Sequence, residues 1–241
     1  MPLKQAIIFA AGPGPRLKPW TDEHPKALVQ VNGKSLLQRN IEYLQQYGIR
    51  DVIINIHHFA DHIADEVKKT GGWGSNVTIS DETSGLLRTG GGLKHAAGHF
   101  HPDNPFVVMN VDMLTNLDLN KMLAFHEEKK PQVTMAVTKR LTSRNFVFND
   151  QARMCGWINT QTGEQRMCRA DHPLIPKAYS CINIFEPSVF PLITKEGAFS
   201  IIDLYLEVAR HALVLGYDHT GDALVDIGKP ENIAKAETLF I

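Results

Sequence analysis

The first half of the chain alternates short apolar runs with stretches whose apolar residues recur every three to four positions. Gln5–Ala10 reads Gln-Ala-Ile-Ile-Phe-Ala and predicts a buried strand. Ser35 with Gln38 three residues later makes a capping-box pattern; Leu37, Ile41 and Leu44 then share one face, and Gly48 supplies a C-cap. Val52–Ile56 predicts a second strand, and Ile63 with Val67 marks a helix ended by Gly71-Gly72. Val77–Ser80, Phe106–Val111 and Val133–Thr138 predict further strands. Gly90–Gly92 are expected to precede a short helix, and Leu119–Lys130 forms a longer one. This β-α-β-α order with short connections packs as a mostly parallel sheet with helices on both faces, the α/β class.

The pattern changes after Lys139. Asn145–Phe148, Cys155–Ile158 and Gln165–Met167 are short strand candidates separated by the turn-like Asn149-Asp150 and Thr162-Gly163. They predict a small antiparallel β insertion in, or beside, the main sheet. Tyr179–Phe185 is another strand, Ile201–Leu213 an amphipathic helix and Leu224–Ile227 a short strand, and Pro230 opens a final helix. No internal repeat and no hexapeptide tail is present, so no β-helix domain is expected. The chain therefore reads as a single domain over residues 1–241, with a first half of residues 1–138 and a second of 139–241.

Composition narrows the classes. The chain has 241 residues, 43% hydrophobic and 21% charged, which allows a sizeable core. A formal net charge of −1 lacks the basic footprint of a nucleic-acid binder. Cys155, Cys168 and Cys181 are an odd set without close pairing, which fits a reducing, cytoplasmic setting better than a disulfide framework. No apolar run approaches the roughly 20 residues of a membrane span, and no signal peptide is expected after Lys4.

The candidate chemistry begins at the end of the first strand. Ala10, Ala11, Gly12 and Gly14 form a loop whose backbone can approach phosphate oxygens, and Arg16 and Lys26 add positive charge. A plain βα turn would also use glycines. The joint occurrence of strand, loop, arginine and lysine favours triphosphate binding. The string lacks Gly-Lys-Ser/Thr and the third glycine of the dinucleotide fingerprint. Thr89-Gly90-Gly91-Gly92 would let a base or ribose lie on the backbone, with Glu82 as a further nucleotide contact. Asp112 ends an apolar strand where ligands of open α/β sheets bind, and suits a hard cation such as Mg²⁺. His57-His58-Phe59-Ala60-Asp61-His62 lacks zinc spacing and reads as a strand end entering a helix.

Taken together, Gly12-Pro13-Gly14-Pro15-Arg16, Pro25-Lys26, Thr89–Gly92, Asn110-Val111-Asp112 and Asp226-Ile227-Gly228-Lys229-Pro230 resemble the sugar-phosphate nucleotidyltransferases, in particular their muramic-, heptose- and mannose-phosphate branch. The resemblance runs from Ala6 to about residue 236. It implies a Rossmann-like nucleotide-diphospho-sugar transferase fold, with nucleotide-binding first and sugar-binding second halves. The implied reaction is NTP + sugar 1-phosphate → NDP-sugar + pyrophosphate. Arg16, Lys26 and Asp112 would be catalytic, Asp226 the second Mg²⁺ ligand and Asn183 a sugar contact, in a monomer or homodimer. Pro13 and Pro15 fill variable places of the family loop, Cys181 stands at a family glycine, and the family's Glu-Lys-Pro motif is absent. Two other readings fit the same residues: a phosphocholine-type cytidylyltransferase, and a nucleotide-binding regulatory module without turnover.

Overall fold

Alternation of buried strand and amphipathic helix governs the first part of the computed structural model, which describes residues 2–241. In order come β1 (Gln5–Phe9), β2 (Gln30–Val31), β3 (Lys34–Ser35), α1 (Leu36–Gln46), β4 (Asp51–Ile56), α2 (Ala60–Thr70), β5 (Asn76–Asp81), α3 (Arg88–His95), β6 (Phe106–Asn110) and β7 (Met113–Thr115). Then follow α4 (Leu119–Lys129), β8 (Val133–Thr138), β9 (Arg144–Phe148), β10 (Met154–Asn159), β11 (Gln165–Met167), β12 (Ile175–Phe185), α5 (Ile201–His211), β13 (Val214–Asp218), β14 (Leu224–Asp226) and α6 (Glu231–Leu239).

The central sheet is mixed and mostly parallel, as the hydrophobic pattern predicts. β5, β4, β1 and β6 lie side by side in parallel, and β13 is parallel to β8. β12 is the antiparallel strand between them, pairing with β6 on one side and β8 on the other. Alternate residues of β1 feed the two faces. Ala6 and Ile8 pack with Leu37, Ile41 and Ile63 of α1 and α2, whereas Ile7 and Phe9 pack with Leu93, Leu204 and Tyr205 of α3 and α5. The small antiparallel unit is β9–β10–β11, joined to the first residues of β12 through Ile175 opposite Phe148.

Several local expectations change. Ser35 caps α1 by accepting the Gln38 N–H at 3.1 Å, but the Gln38 amide donates to Glu42 at 2.9 Å instead of returning to the cap. The reciprocal box lies at α5, between Ser200 and Asp203. Gly90–Gly92 sit inside α3 rather than before it. β7 and β13 escape the periodicity reading, because β7 has three residues and Gly216 interrupts β13. A Cβ at Gly216 would lie 2.9 Å from the Phe148 ring, so packing decides that glycine. β12 begins at Ile175, four residues before the predicted start, and α5 stops at His211.

The carboxyl ends of β1, β4 and β6 reach one edge of the sheet. Phe9 lies level with Asn55 on one side and Asn110 on the other. β14 returns antiparallel to β7 with Asp226 opposite Met113, next in sequence to Asp112.

Candidate active site

At that edge a cleft of about 250 Å³ is lined by Ala10, Ala11, Gly12, Lys26, Thr89 and Asp112, all expected from the sequence, and by Asn55, Leu86, Arg88, Asn110 and Ser200, among others. Concavities of about 750 and 400 Å³ elsewhere do not gather a glycine loop, a lysine and a carboxylate. The chemistry, not the volume, selects the smaller cleft.

The loop is shaped from behind. Gly14 adopts the left-handed conformation (φ 59°), and a Cβ there would press on the Lys26 stem at 3.0 Å. Its carbonyl accepts the Leu17 N–H and the Thr21 hydroxyl, both at 3.0 Å. Pro15 opens a short 3₁₀ turn that carries Arg16. Gly12 is exposed with open space at its Cβ position, so its backbone is free to meet a ligand.

The Ala10 N–H does not face the cleft as a free donor. It donates to Asn55 Oδ1 at 2.8 Å, and Asn55 Nδ2 donates to Glu82 Oε1 at 2.7 Å. Glu82 Oε2 accepts the Leu87 N–H at 3.0 Å. Glu82 is 1% exposed and lies outside the cleft lining, so its place is support behind Asn55 rather than contact with a nucleotide. Asn55 was missed from the sequence. Its signal was a lone amide in the apolar run Val52-Ile53-Ile54-Asn55-Ile56.

The glycines of α3 also turn inward. Gly90, Gly91 and Gly92 are buried. A Cβ at Gly90 would meet the Phe199 ring and the Ser200 carbonyl at 2.5–2.7 Å, one at Gly91 would collide with the Gly197 carbonyl, and one at Gly92 would meet Glu82 at 2.5 Å. Gly90 N–H donates to the Phe199 carbonyl at 2.9 Å. These glycines let α3 approach the 197–200 segment and the Asn55–Glu82 pair, so Gly90 and Gly91 do not offer the flat backbone surface expected of them. Arg88 and Thr89 line the cleft, and the Thr89 hydroxyl accepts the Ile201 N–H at 3.0 Å. Arg88 is exposed and left-handed (φ 60°).

Two cation–carboxylate pairs face each other. Lys26 bonds Asp112 Oδ2, and both side chains are largely shielded, with 11% and 15% exposure. Arg16 Nη2 lies 3.8 Å from Asp226 Oδ2, with both side chains more open. Gly228 makes the second pair possible, because a Cβ there would strike the Arg16 guanidinium. Asp226 Oδ1 accepts the Gly228 N–H at 2.7 Å, and the Ile227 N–H donates to the Asp112 carbonyl at 2.8 Å. Asp112 Oδ1 and Asp226 Oδ2 accept no hydrogen bond among the described residues. Two hard carboxylates beside a glycine loop are donors that a Mg²⁺ would accept, with substrate phosphates completing its shell, although Asp226 Oδ2 would be shared with Arg16. No cluster of three or more His, Cys, Asp or Glu able to hold a metal occurs among the described residues.

Cys181 sits at this junction. Burial, then the Asp112 carboxylate and more weakly Asp226, push its thiol up to about 12, with Arg140 and Lys26 opposing. Its φ is 59°, the left-handed region a glycine would favour. Asn183 is fully buried below it. Its Nδ2 donates to the Tyr179 hydroxyl at 2.6 Å, which meets the Tyr205 hydroxyl at 2.8 Å. The expected sugar contact is thus part of the sheet's polar interior.

Comparisons with known proteins place this geometry. Residues 5–148 match the family model described as Nucleotidyl transferase. The chain is 37% identical over 98% of its length to an N-acetylmuramate alpha-1-phosphate uridylyltransferase of Neisseria meningitidis serogroup B, covering 97% of that protein. It is 32% identical over 98% of its length to a mannose-1-phosphate guanyltransferase of Neurospora crassa, of which it covers 64%. Among solved structures, HddC from Yersinia pseudotuberculosis, complexed with GMP-PN, superposes with a TM-score of 0.80 at 24% identity, covering 99% of this chain and 100% of that one. That likeness concerns the fold.

Proposed function

The chain belongs to the nucleotidyl transferase family, and from that premise we propose that it couples an NTP to a sugar 1-phosphate, releasing pyrophosphate. The observation that carries this reading is the meeting of the Gly12 loop, Lys26, Thr89 and Asp112 in one cleft, with Asp226 delivered beside Asp112 by β14. A phosphate oxygen of the sugar 1-phosphate attacks the α-phosphorus. The bond from that phosphorus to the bridging oxygen breaks, and its electron pair leaves with pyrophosphate. No side-chain nucleophile is needed, so the protein contributes orientation and charge. Lys26 offsets charge at the α-phosphate, and Arg16, at the loop's far end, offsets charge on the departing pyrophosphate. Asp112 and Asp226 would hold Mg²⁺, which when bound supplies Lewis-acid stabilisation of the phosphate oxygens.

The substrates proposed first are UTP and N-acetylmuramate α-1-phosphate. The support is the 37% identity and near-equal length shared with the Neisseria relative. GTP with mannose 1-phosphate is the second reading, supported by the Neurospora relative. The test is pyrophosphate release with Mg²⁺ for each NTP against a panel of sugar 1-phosphates and phosphocholine. Release with UTP and the muramate is the expected result. Release with phosphocholine alone overturns the sugar assignment, and NTP binding without release from any pair supports the regulatory module.

A further inference from the structure

β12 does not run straight past the cleft. Its ladder with β8 shifts register between Tyr179 and Asn183, and within that bulge Cys181 is held at φ 59°. The ladder with β6 ends at Ile182 opposite Met109, which brings Cys181 level with Asn110, a cleft residue. A side-chain-bearing residue stays left-handed only where the surroundings over-determine it.

A buried polar chain does this. The Ser180 hydroxyl and His219 Nε2 share a hydrogen bond at 2.8 Å. His219 Nδ1 is buried without a hydrogen-bond partner, 3.4 Å from the partly exposed Asp222 Oδ2, and its backbone N–H donates to the Val137 carbonyl at 3.0 Å. Next to it, Thr220 Oγ1 accepts the Lys139 N–H at 2.9 Å. Segment 218–222 is therefore fastened to the end of β8 and to the bulge, and four residues after Asp222 it delivers Asp226.

Serine, histidine and aspartate in series suggest a nucleophilic triad, but the geometry excludes it. Ser180 is 0% exposed and His219 5% exposed. The chain lies behind the bulge, where no substrate carbonyl or phosphorus can reach the hydroxyl.

We infer that the Ser180–His219 link is a tether that locks the Cys181 bulge to the loop carrying Asp226, which makes His219 a positioning residue for the sugar 1-phosphate rather than for the NTP. The inference rests on the proposed reaction. The bulge lies beside the cleft residue Asn110 of β6, on the side of β6 away from β1 and the Gly12 loop, and the tether makes no hydrogen bond to that loop. Its loss should therefore displace one substrate and spare the other.

The variants are His219→Asn, which gives up the bond to Ser180, His219→Gln, whose amide reaches far enough to keep it as donor or acceptor, and Ser180→Ala. In steady-state pyrophosphate release, H219N and S180A should each raise KM for the sugar 1-phosphate by about 10-fold while KM for the NTP stays within about 2-fold, a misplacement effect. H219Q should restore most of the loss. The double variant S180A/H219N should be no worse than either single one, because both cut the same link. A second readout needs no activity: alkylation of the Cys181 thiol, followed by mass spectrometry, should quicken in H219N and S180A while Cys168 reacts as before. Equal loss for both substrates in step with a lower Tm, an additive double variant, or unchanged Cys181 alkylation would overturn the tether. A wild-type protein that releases no pyrophosphate from any pair defeats the proposed function, and the alkylation rates then still decide the tether.

Discussion

The two walls of the cleft are built by different rules. One wall comes from parallel strands β1 and β6 and is shaped by backbone: Gly14 left-handed, Gly12 open and Lys26 laid across the loop. The other, flanking the cleft beyond β6 rather than lining it, comes from antiparallel β12 and the β13–β14 segment and is shaped by side chains: Ser180, His219 and Asn183 hold it from inside. In the proposed reaction the first wall meets a chemical unit common to all nucleoside triphosphates, for which glycine, Arg and Lys at fixed spacing suffice. In the same proposal the second lies toward the partner that varies, and its shape is set by buried contacts that leave no motif. Arg16, packed on Gly228, and Asp226, opposite Met113, join the two.

The largest test of that joint is to remove the carboxylate on each wall. Asp112→Asn and Asp226→Asn should each lower pyrophosphate release by about 10³-fold, the scale of losing a preorganised electrostatic group. Circular dichroism and Tm should stay near wild type for D226N, whose side chain is partly open. D112N also removes the partner of a shielded Lys26, so a modest drop in Tm is expected there. If D226N retains near-normal turnover in Mg²⁺, the wall carrying Asp226 is not part of the metal site.

A second test asks whether the glycines of the first wall serve ligand or packing. Gly90→Ala puts a methyl 2.5 Å from the Phe199 ring, and overpacking of that kind costs about 1–3 kcal/mol. Gly12→Ala meets nothing within 4 Å, so stability should stay within about 0.5 kcal/mol while KM for the NTP rises. Urea denaturation and steady-state kinetics on both variants check this. A Gly90→Ala protein of full stability with weakened nucleotide binding would return Gly90 to the ligand surface.

That pair of glycine segments also marks what a sequence can carry. Gly12 and Gly14 follow a recognisable strand and sit where the strand implied. Gly90–Gly92 read as a turn, because glycine runs usually break helices. What keeps them helical is Phe199 and Gly197, over a hundred positions away, and no local pattern reports such a contact. Glu82 is a similar case: its place just upstream of Thr89–Gly92 suggests a nucleotide contact, and only the fold shows both oxygens engaged by Asn55 and Leu87. The antiparallel strands Arg144–Phe148, Met154–Asn159 and Gln165–Met167 were legible through turns and alternation. Their connection to β12 and the Ser180–His219 link were not, since both depend on residues tens of positions apart.

A third prediction concerns pH, on the side of the molecule where α4 meets β8 and β12. His126 Nδ1 and Nε2 meet Thr134 Oγ1 at 2.7 Å and Glu186 Oε1 at 3.0 Å. Burial lowers its pKa below 6.5 despite the opposing Glu186 carboxylate. The folded state thus prefers neutral imidazole, while the unfolded chain takes up a proton at about pH 6.5. The stabilising contribution is full above that value and is lost as pH falls through the folded pKa. Asp218 titrates lower: burial would raise it, but the Lys177 and Thr220 hydrogen bonds outweigh that and hold it at about 2. Its contribution is present above 3.8 and is lost only as pH falls toward 2. Urea midpoints should therefore fall between pH 7.5 and 5 in wild type and fall less in His126→Gln. A midpoint that does not change over that range would mean that His126 is paired well enough to protonate without cost.

The smallest effect should come from Cys181, and it separates the two walls most directly. The first wall places glycine at its left-handed position, Gly14, whereas the second places a cysteine at φ 59°. An L-residue in that region costs about 1–2 kcal/mol. Cys181→Gly relieves the strain but loses part of a half-buried thiol and loosens the unfolded chain by about 0.5–1 kcal/mol. The net change should lie within about 1 kcal/mol of zero, so comparison with wild type alone decides little. Comparison with Cys181→Ala decides more, because alanine loses the same thiol and keeps the strain. Glycine should exceed alanine in stability by up to about 1 kcal/mol, read as a higher urea midpoint at equal m-value. At any other partly buried strand position the order would reverse. If alanine is the more stable here, the left-handed bulge is not the conformation this wall holds in solution, and the tether behind it would have nothing to fix.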